Sequence, residues 1–189
     1  MSSYHPTLWR TCRVLANERR LRCLRAVLRA PGATVGEIAA LANLPHDQTS
    51  ACLRTLQARG LLQAGRTSRW VHYHPFADPL VPVAAPILSG LSRALLQQKM
   101  PCPKIIRSLT AFTHPRRLTI LRLLQKNKSL PFSALARQSD ISPAALARHL
   151  NKLKKREVIE EDGGEWSLTA KPRQLTQLFF RLIATSPEI

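Results

Sequence analysis

The sequence predicts a mainly helical chain of two tandem units, each closed by a small β-hairpin, the two together forming a pseudo-dimer. Three observations lead there. One segment occurs twice at a constant offset of 97 residues: Leu21, Leu53 and Leu56 fall on Leu118, Leu150 and Leu153, Asn17-Glu-Arg-Arg-Leu21 on His114-Pro-Arg-Arg-Leu118, and Gly36-Glu-Ile-Ala39 on Ser133-Ala-Leu-Ala136. Within each copy, apolar residues recur at helical spacing between Pro and Gly punctuation. Each copy then ends on two short β-prone runs around a polar turn. At 189 residues the chain has room for two domains, expected at 1–100 and 101–189.

In the first copy, Leu8, Cys12 and Leu15 mark a helix that Thr7, after Pro6, is placed to cap. Asn17 caps a second helix with Leu21, Leu24, Val27 and Leu28 as its apolar stripe, Arg19, Arg20, Arg22, Arg25 and Arg29 on the wet side, and Pro31-Gly32 as its stop. Thr34 to Asn43 is a short helix with Ile38 and Leu41 inward. Leu44-Pro45 turns the chain, and His46 to Arg59 is a longer helix with Leu53 and Leu56 inward, ended by Gly60. This order is a helix-turn-helix signal. Leu61-Leu-Gln63 and Trp70-Val-His-Tyr73 then flank the basic tip Ala64 to Arg69, which completes a winged-helix plan. A proline-rich connector leads to a closing helix whose Ile87, Leu88, Leu91, Ala94 and Leu95 share one face, and that face needs a partner surface.

The second copy repeats the plan. Ile105, Ile106, Leu109 and Phe112 open it, Pro115 to Lys126 is its second helix, and Leu130 to Ser139 the short one. Ser142 is an N-cap with Pro143 at N1, opening a helix to Arg156. Val158-Ile159 and Trp166-Ser-Leu168 flank a shorter, acidic turn, and a closing helix runs from about Pro172 to Ala184. Trp70 and Trp166 are expected in matching wing strands, as one shared anchor.

The net charge is +18. It is divided evenly: 1–100 hold 13 Lys/Arg against 4 Asp/Glu, and 101–189 hold 16 against 7, so each half carries +9. Charge shared between repeats points to two heads for a polyanion rather than one basic tail. No run reaches membrane-span length and no leader pattern opens the chain, so a cytoplasmic, nucleoid-associated protein with no membrane partner is expected. Cys12, Cys23, Cys52 and Cys102 form no C-x-x-C pair and are expected as free thiols; a redox pair of Cys12 and Cys23, eleven apart, is the lesser reading.

Val14-Leu-Ala-Asn-Glu-Arg-Arg-Leu-Arg-Cys-Leu24, Gly36-Glu-Ile-Ala-Ala-Leu41, Leu53-Arg-Thr-Leu-Gln-Ala-Arg-Gly-Leu61 and Gly65-Arg-Thr-Ser-Arg-Trp-Val-His-Tyr73 resemble, in order, the opening helix, turn, recognition helix and wing of the ArsR/SmtB-type bacterial repressors. Ala147-Arg-His-Leu150 with Leu153 matches that family's recognition-helix signature more closely. The resemblance implies a DNA-binding transcriptional regulator, usually a homodimer joined through first and last helices. This chain departs by fusing two units. Gly36 to Asn43 offers no Cys or His, and the closing helices lack the paired Asp/His and His/Glu ligands of the zinc-sensing members, so no metal and no cofactor are expected.

The candidate contacts follow from placement. Ser142, Ala144, Ala145, Arg148, His149 and Lys152 lie off the Leu146/Leu150/Leu153 stripe; small residues at a helix start allow close approach to base edges, and Arg148, Lys152 and Lys155 suit guanine or phosphate. The first recognition helix offers Gln48, Thr49, Ser50 and Arg54, with Cys52 where the family has His and Asp47 as a cap. Arg66 and Arg69 sit at a wing tip able to enter a minor groove or clamp phosphate. Glu160, Glu161, Asp162 and Glu165 on the second wing oppose DNA, so that wing either turns away or pairs with the basic helix end. His72 and His74, even with His5 or His114, lack the ligand set of a metal site. No nucleophile triad, phosphate loop or paired acids argue for an enzyme.

The expected partner is double-stranded DNA, and the expected activity is sequence-specific repression by two unlike heads. The chain would act as a monomeric pseudo-dimer or as a homodimer through the closing helices. The alternative is a winged-helix protein-interaction or nonspecific nucleic-acid-coating module.

Overall fold

A computed structural model describes residues 7–185. Among them the chain divides into two compact units, one of Val14–Ile106 and one of Thr7–Arg13 with the chain from Arg107 onward. The expected architecture is present: mainly helical, with two small three-stranded antiparallel sheets.

Unit 1 contains α2 (Glu18–Arg29), β1 (Ala33–Thr34), α3 (Val35–Ala42), α4 (His46–Gln57), β2 (Gln63–Thr67), β3 (Trp70–His74) and α5 (Ala84–Ser92), the last continued by a π-helical turn, Arg93–Gln97. The end of α1 (Leu8–Leu15) precedes them. Asn17 caps α2 as expected, its side-chain oxygen accepting from Arg20 N–H at 3.1 Å. Thr34 and Glu37 form a reciprocal capping box on α3. Gly60 ends the recognition segment at φ +68, and a Cβ there would lie 2.9 Å from Val81, so both the backbone angle and the space require glycine. The core gathers Leu21, Leu24, Val27, Ile38, Leu53, Leu56, Leu61 and Leu62, with Ile87, Leu91 and Leu95 of the closing segment also buried.

Unit 2 contains the end of α6 (Cys102–Leu109), a 3₁₀ turn at Thr110–Phe112, α7 (Pro115–Asn127), β4 (Ser129–Pro131), α8 (Phe132–Ser139), α9 (Pro143–Lys154), β5 (Ile159–Asp162), β6 (Glu165–Leu168) and α10 (Gln174–Thr185). Its core is more aromatic. Phe112 stacks on Phe179 at 4.8 Å and meets Phe180 edge-on at 6.3 Å, while Gln125 Nε2 donates to the Phe180 carbonyl at 2.8 Å and ties α10 to α7.

Several expectations need correction. Each sheet has a third strand, β1 or β4, two or three residues long, too short to carry a period. Leu41 is not inward but 55% exposed; Ile38, Ala39 and Ala42 form the buried face of α3. The hydroxyl of Thr7 is buried without a partner and caps nothing, and Pro6 lies outside the described residues. Asp47 does not cap α4, whose N-cap is Pro45 with no side-chain bond. Ser142 holds the N-cap position of α9 with Pro143 following, but its hydroxyl makes no capping bond.

The tryptophans are not equivalent either. Strand pairing sets Ala64 opposite Tyr73 and Glu161 opposite Trp166, while β1 and β4 place Ala33 against Tyr73 and Leu130 against Trp166. Trp166 therefore corresponds to Tyr73: both are buried, whereas Trp70 is 53% exposed.

Candidate nucleic-acid interface

The two recognition positions are filled by α4 and α9. On α9, Ala145, Leu146, Leu150 and Leu153 are buried, which turns Ser142, Ala144, Arg148, Lys152 and Lys155 to solvent. Ala145 was expected on the open face; it lies beside Leu146 on the packed one. Arg148 and Lys152 stand one helical turn apart, and neither they nor Lys155 form an ion pair among the described residues. Arg156, by contrast, is committed to structure, its Nε donating to Thr110 Oγ1 at 2.6 Å.

His149 is not the open contact that was expected. Its ring is half-buried, 4.7 Å from that of His114, with Nδ1 covered and unpartnered. Burial, then His114, Arg117, Lys152 and Arg116, push its pKa down to about 4. It is neutral at pH 7 and adds no charge to a phosphate contact.

On α4, Thr49 is a second correction: it is fully buried, and its hydroxyl donates to the Pro45 carbonyl at 2.9 Å, one turn back. Gln48 and Ser50 are half-buried and Arg54 is exposed, so the helix offers one open cation. Cys52 is buried next to Cys23, whose thiol is pushed up to about 12, first by burial and then by Cys52. All four cysteines are buried free thiols.

The wings differ in length as well as charge. Gly65↔His72 in unit 1 corresponds to Asp162↔Glu165 in unit 2, but unit 1 continues through Arg66↔Val71 and Thr67↔Trp70 before its Ser68-Arg69 turn. Two extra rungs add roughly 7 Å. Arg66 and the exposed Trp70 belong to the part that unit 2 lacks, and Arg69 at the tip lies 5.0 Å over the Trp70 ring. Unit 2 turns instead at Gly163-Gly164, both at positive φ, as a type I′ turn requires. Its Glu161 pairs with Lys154 at 2.8 Å, and Lys154 also lies 5.5 Å over Trp166. The acidic wing thus meets the basic helix end, one of the two arrangements its charge allowed.

His72 and His74 have structural work. His72 Nδ1 lies 2.8 Å from the Gly32 carbonyl, and His74 stacks on Phe76 at 5.4 Å. Among the described residues no group of three or more His, Cys, Asp or Glu is placed to hold a metal ion; His5 lies outside them. No described helix is long and apolar enough to cross a membrane.

Known families match both units. Residues 17–69 match the MarR family, and residues 114–160 match a family described as winged helix-turn-helix DNA-binding. The chain carries two winged helix-turn-helix domains. Each match covers the helix-turn-helix of its winged domain and reaches into the wing. No curated protein matches the chain. A crystal structure of human N-acetylserotonin methyltransferase in complex with SAM aligns over 84% of this chain at 13% identity with a TM-score of 0.33, too low to carry an argument. The chain spans 45% of that protein's length.

Proposed function

We propose that the chain is a sequence-specific, DNA-binding transcriptional regulator, a repressor of ArsR/SmtB type, whose two winged-helix heads, over 1–100 and 101–189, contact DNA unequally. The observation that carries this reading is the outer face of α9: Ser142 and Ala144 at an N-terminus with no side-chain cap, then Arg148, Lys152 and Lys155, exposed and, among the described residues, without an ion pair. Uncapped first-turn N–H groups suit a phosphate, and an arginine one turn further suits a guanine edge. In unit 1 the corresponding charge is on the wing, at Arg66 and Arg69, with Gln48, Ser50 and Arg54 on the helix.

The internal duplication supports a single chain addressing two major grooves about 34 to 36 Å apart, as a two-fold dimer does. Unlike heads imply unlike half-sites. Selection from random duplexes is expected to return an asymmetric site; recovery of perfect palindromes alone, or no binding at low salt, would overturn the reading. The even charge of the two halves also suits nonspecific coating of nucleic acid. Arg148→Ala beside Lys155→Ala in a salt titration separates the two: relaxed base preference in the first alone supports readout, and equal weakening on every sequence supports coating.

A further inference from the structure

Unit 2 contains a group of basic side chains of which the proposed DNA-reading face uses only Lys152. His114 is the N-cap of the 13-residue helix α7, its Nδ1 accepting from Arg116 N–H at 3.2 Å. The His149 ring lies 4.7 Å away, tilted by 48°. Next to them in the fold is Arg117, only 7% exposed. One terminal nitrogen of its guanidinium donates to Thr113 Oγ1 at 2.7 Å, but its Nε is covered with no partner, as is His149 Nδ1. Arg116, Lys152 and Arg13 act on the histidines and Arg156 on Arg117, all of them positive. Among the described residues no carboxylate pairs with any member of the group.

A covered guanidinium without a counter-charge is costly, because its desolvation goes uncompensated. Two neighbouring imidazoles are of a metal-ligating type, but every charged group facing them would repel a metal cation. The set suits an anion instead: a guanidinium donor, the His149 ring that can take a proton, the His114 ring whose Nδ1 accepts and whose Nε2 is left to donate, and the positive end of a long helix. The duplication supplies an internal control. At the 97-residue offset stand Asn17, Arg20 and Cys52; Asn17 caps α2, Arg20 donates to the Val14 carbonyl at 2.8 Å, and no nitrogen of Arg20 is buried and unpaired.

We propose that His114, Arg117 and His149, rimmed by Arg116 and Lys152, form a binding site for a phosphate-type oxyanion that unit 1 lacks. The phosphate is either free in solution or part of a bound nucleic-acid backbone. Burial first, and then the surrounding cations, lower both imidazoles, so they are neutral when the site is empty. An anion favours protonation of His149, and affinity therefore rises as the pH falls through the ordinary histidine range toward about 4.

The test titrates inorganic phosphate into the full chain while the imidazole resonances of His114 and His149 are followed by NMR. Both are expected to shift saturably, with no such shift in sodium chloride at matched ionic strength. The His149 titration should move up by about one unit, which is about tenfold tighter binding to its protonated form. The double variant His114→Asn/His149→Cys installs residues that the same scaffold already holds in unit 1. It is expected to melt like the parent at neutral pH and, at pH 4, to bind phosphate about fivefold more weakly than the parent. In a second arm a short DNA duplex replaces phosphate. Imidazole shifts with phosphate support a free anion as occupant, and shifts with the duplex alone support the site with a backbone phosphate in it. Duplex binding with both imidazoles unmoved in either arm overturns the site and leaves the DNA reading intact. Phosphate binding undiminished in the folded double variant overturns it as well.

Discussion

Unit 1 extends a long wing with Arg66, Arg69 and Trp70 exposed, beside a recognition helix whose open face has one cation, Arg54; unit 2 has a wing two rungs shorter, with Glu161 held by Lys154, beside a helix that exposes Arg148, Lys152 and Lys155. The buried positions do not diverge in this way. Leu21, Leu53 and Leu56 are as buried as Leu118, Leu150 and Leu153, and Asn43 and Asp140 end their short helices at φ 49 and φ 53. The scaffold tolerates exchange of charge between helix and wing because those side chains lie outside the core.

The largest effect that tests this contrast is on the tryptophans. Trp166→Ala is expected to destabilise unit 2 by about 3–5 kcal/mol, and Trp70→Ala to change unit 1 by less than about 0.5 kcal/mol. Chemical denaturation followed by circular dichroism checks both, and equal losses would restore the two residues as equivalents. Next, Arg148→Ala should cost about 1–3 kcal/mol of binding and relax one base preference, whereas Arg66→Ala or Arg69→Ala should weaken all sequences alike and reduce the salt slope by about one. Fluorescence anisotropy across a salt series measures both quantities.

A smaller difference is one of pH. The folded pKa of His149 lies near 4, below its ordinary 6.5, so between these values the unfolded chain binds more protons. Unit 2 should lose stability as the pH falls through that window, and His149→Cys should flatten the loss, read by denaturant midpoints at stepped pH. Smaller again, Glu161→Gln frees an exposed lysine. Stability should move by at most about 1 kcal/mol, while DNA affinity rises at low salt.

The smallest change concerns the position after each recognition segment, where Gly60 at φ +68 corresponds to Glu157 at φ 59. Glu157 accepts from Arg107 at 2.9 Å and from Arg173 at 2.8 Å, both partly exposed pairs. Glu157→Gly removes a left-handed non-glycine strain of about 1–2 kcal/mol and two pairs worth about 0–1 kcal/mol each, so the melting temperature should barely move.

Much of this was legible in the sequence, for physical reasons. Long helices with a clear stripe, the Asn17 cap and the Ser142-Pro143 start all state themselves through spacing and side-chain chemistry. Leu41 did not, because Val-Gly-Glu-Ile-Ala-Ala-Leu-Ala has more apolar residues than an eight-residue helix can bury. Thr49 was misplaced because a hydroxyl that donates within its own helix loses its claim on solvent. The wings were misaligned because residue identity, Trp with Trp, was followed where ladder register decides. His149 matched a recognition-helix pattern, yet its surroundings depend on His114 and Arg117, which lie far away in sequence.

The shortened wing has one more consequence. Rungs of an antiparallel ladder alternate between pairs that exchange two backbone hydrogen bonds and pairs that exchange none, and a two-residue turn closes only on the first kind. Thr67↔Trp70 and Asp162↔Glu165 both close such turns, two rungs apart in the common frame. Hairpin length in this scaffold is therefore quantised: a wing that keeps its tight turn grows or shrinks by four residues at a time. A graft of two residues would open the turn, whereas Arg-Thr and Trp-Val, placed on either side of Gly163-Gly164, would extend unit 2's reach by one whole step.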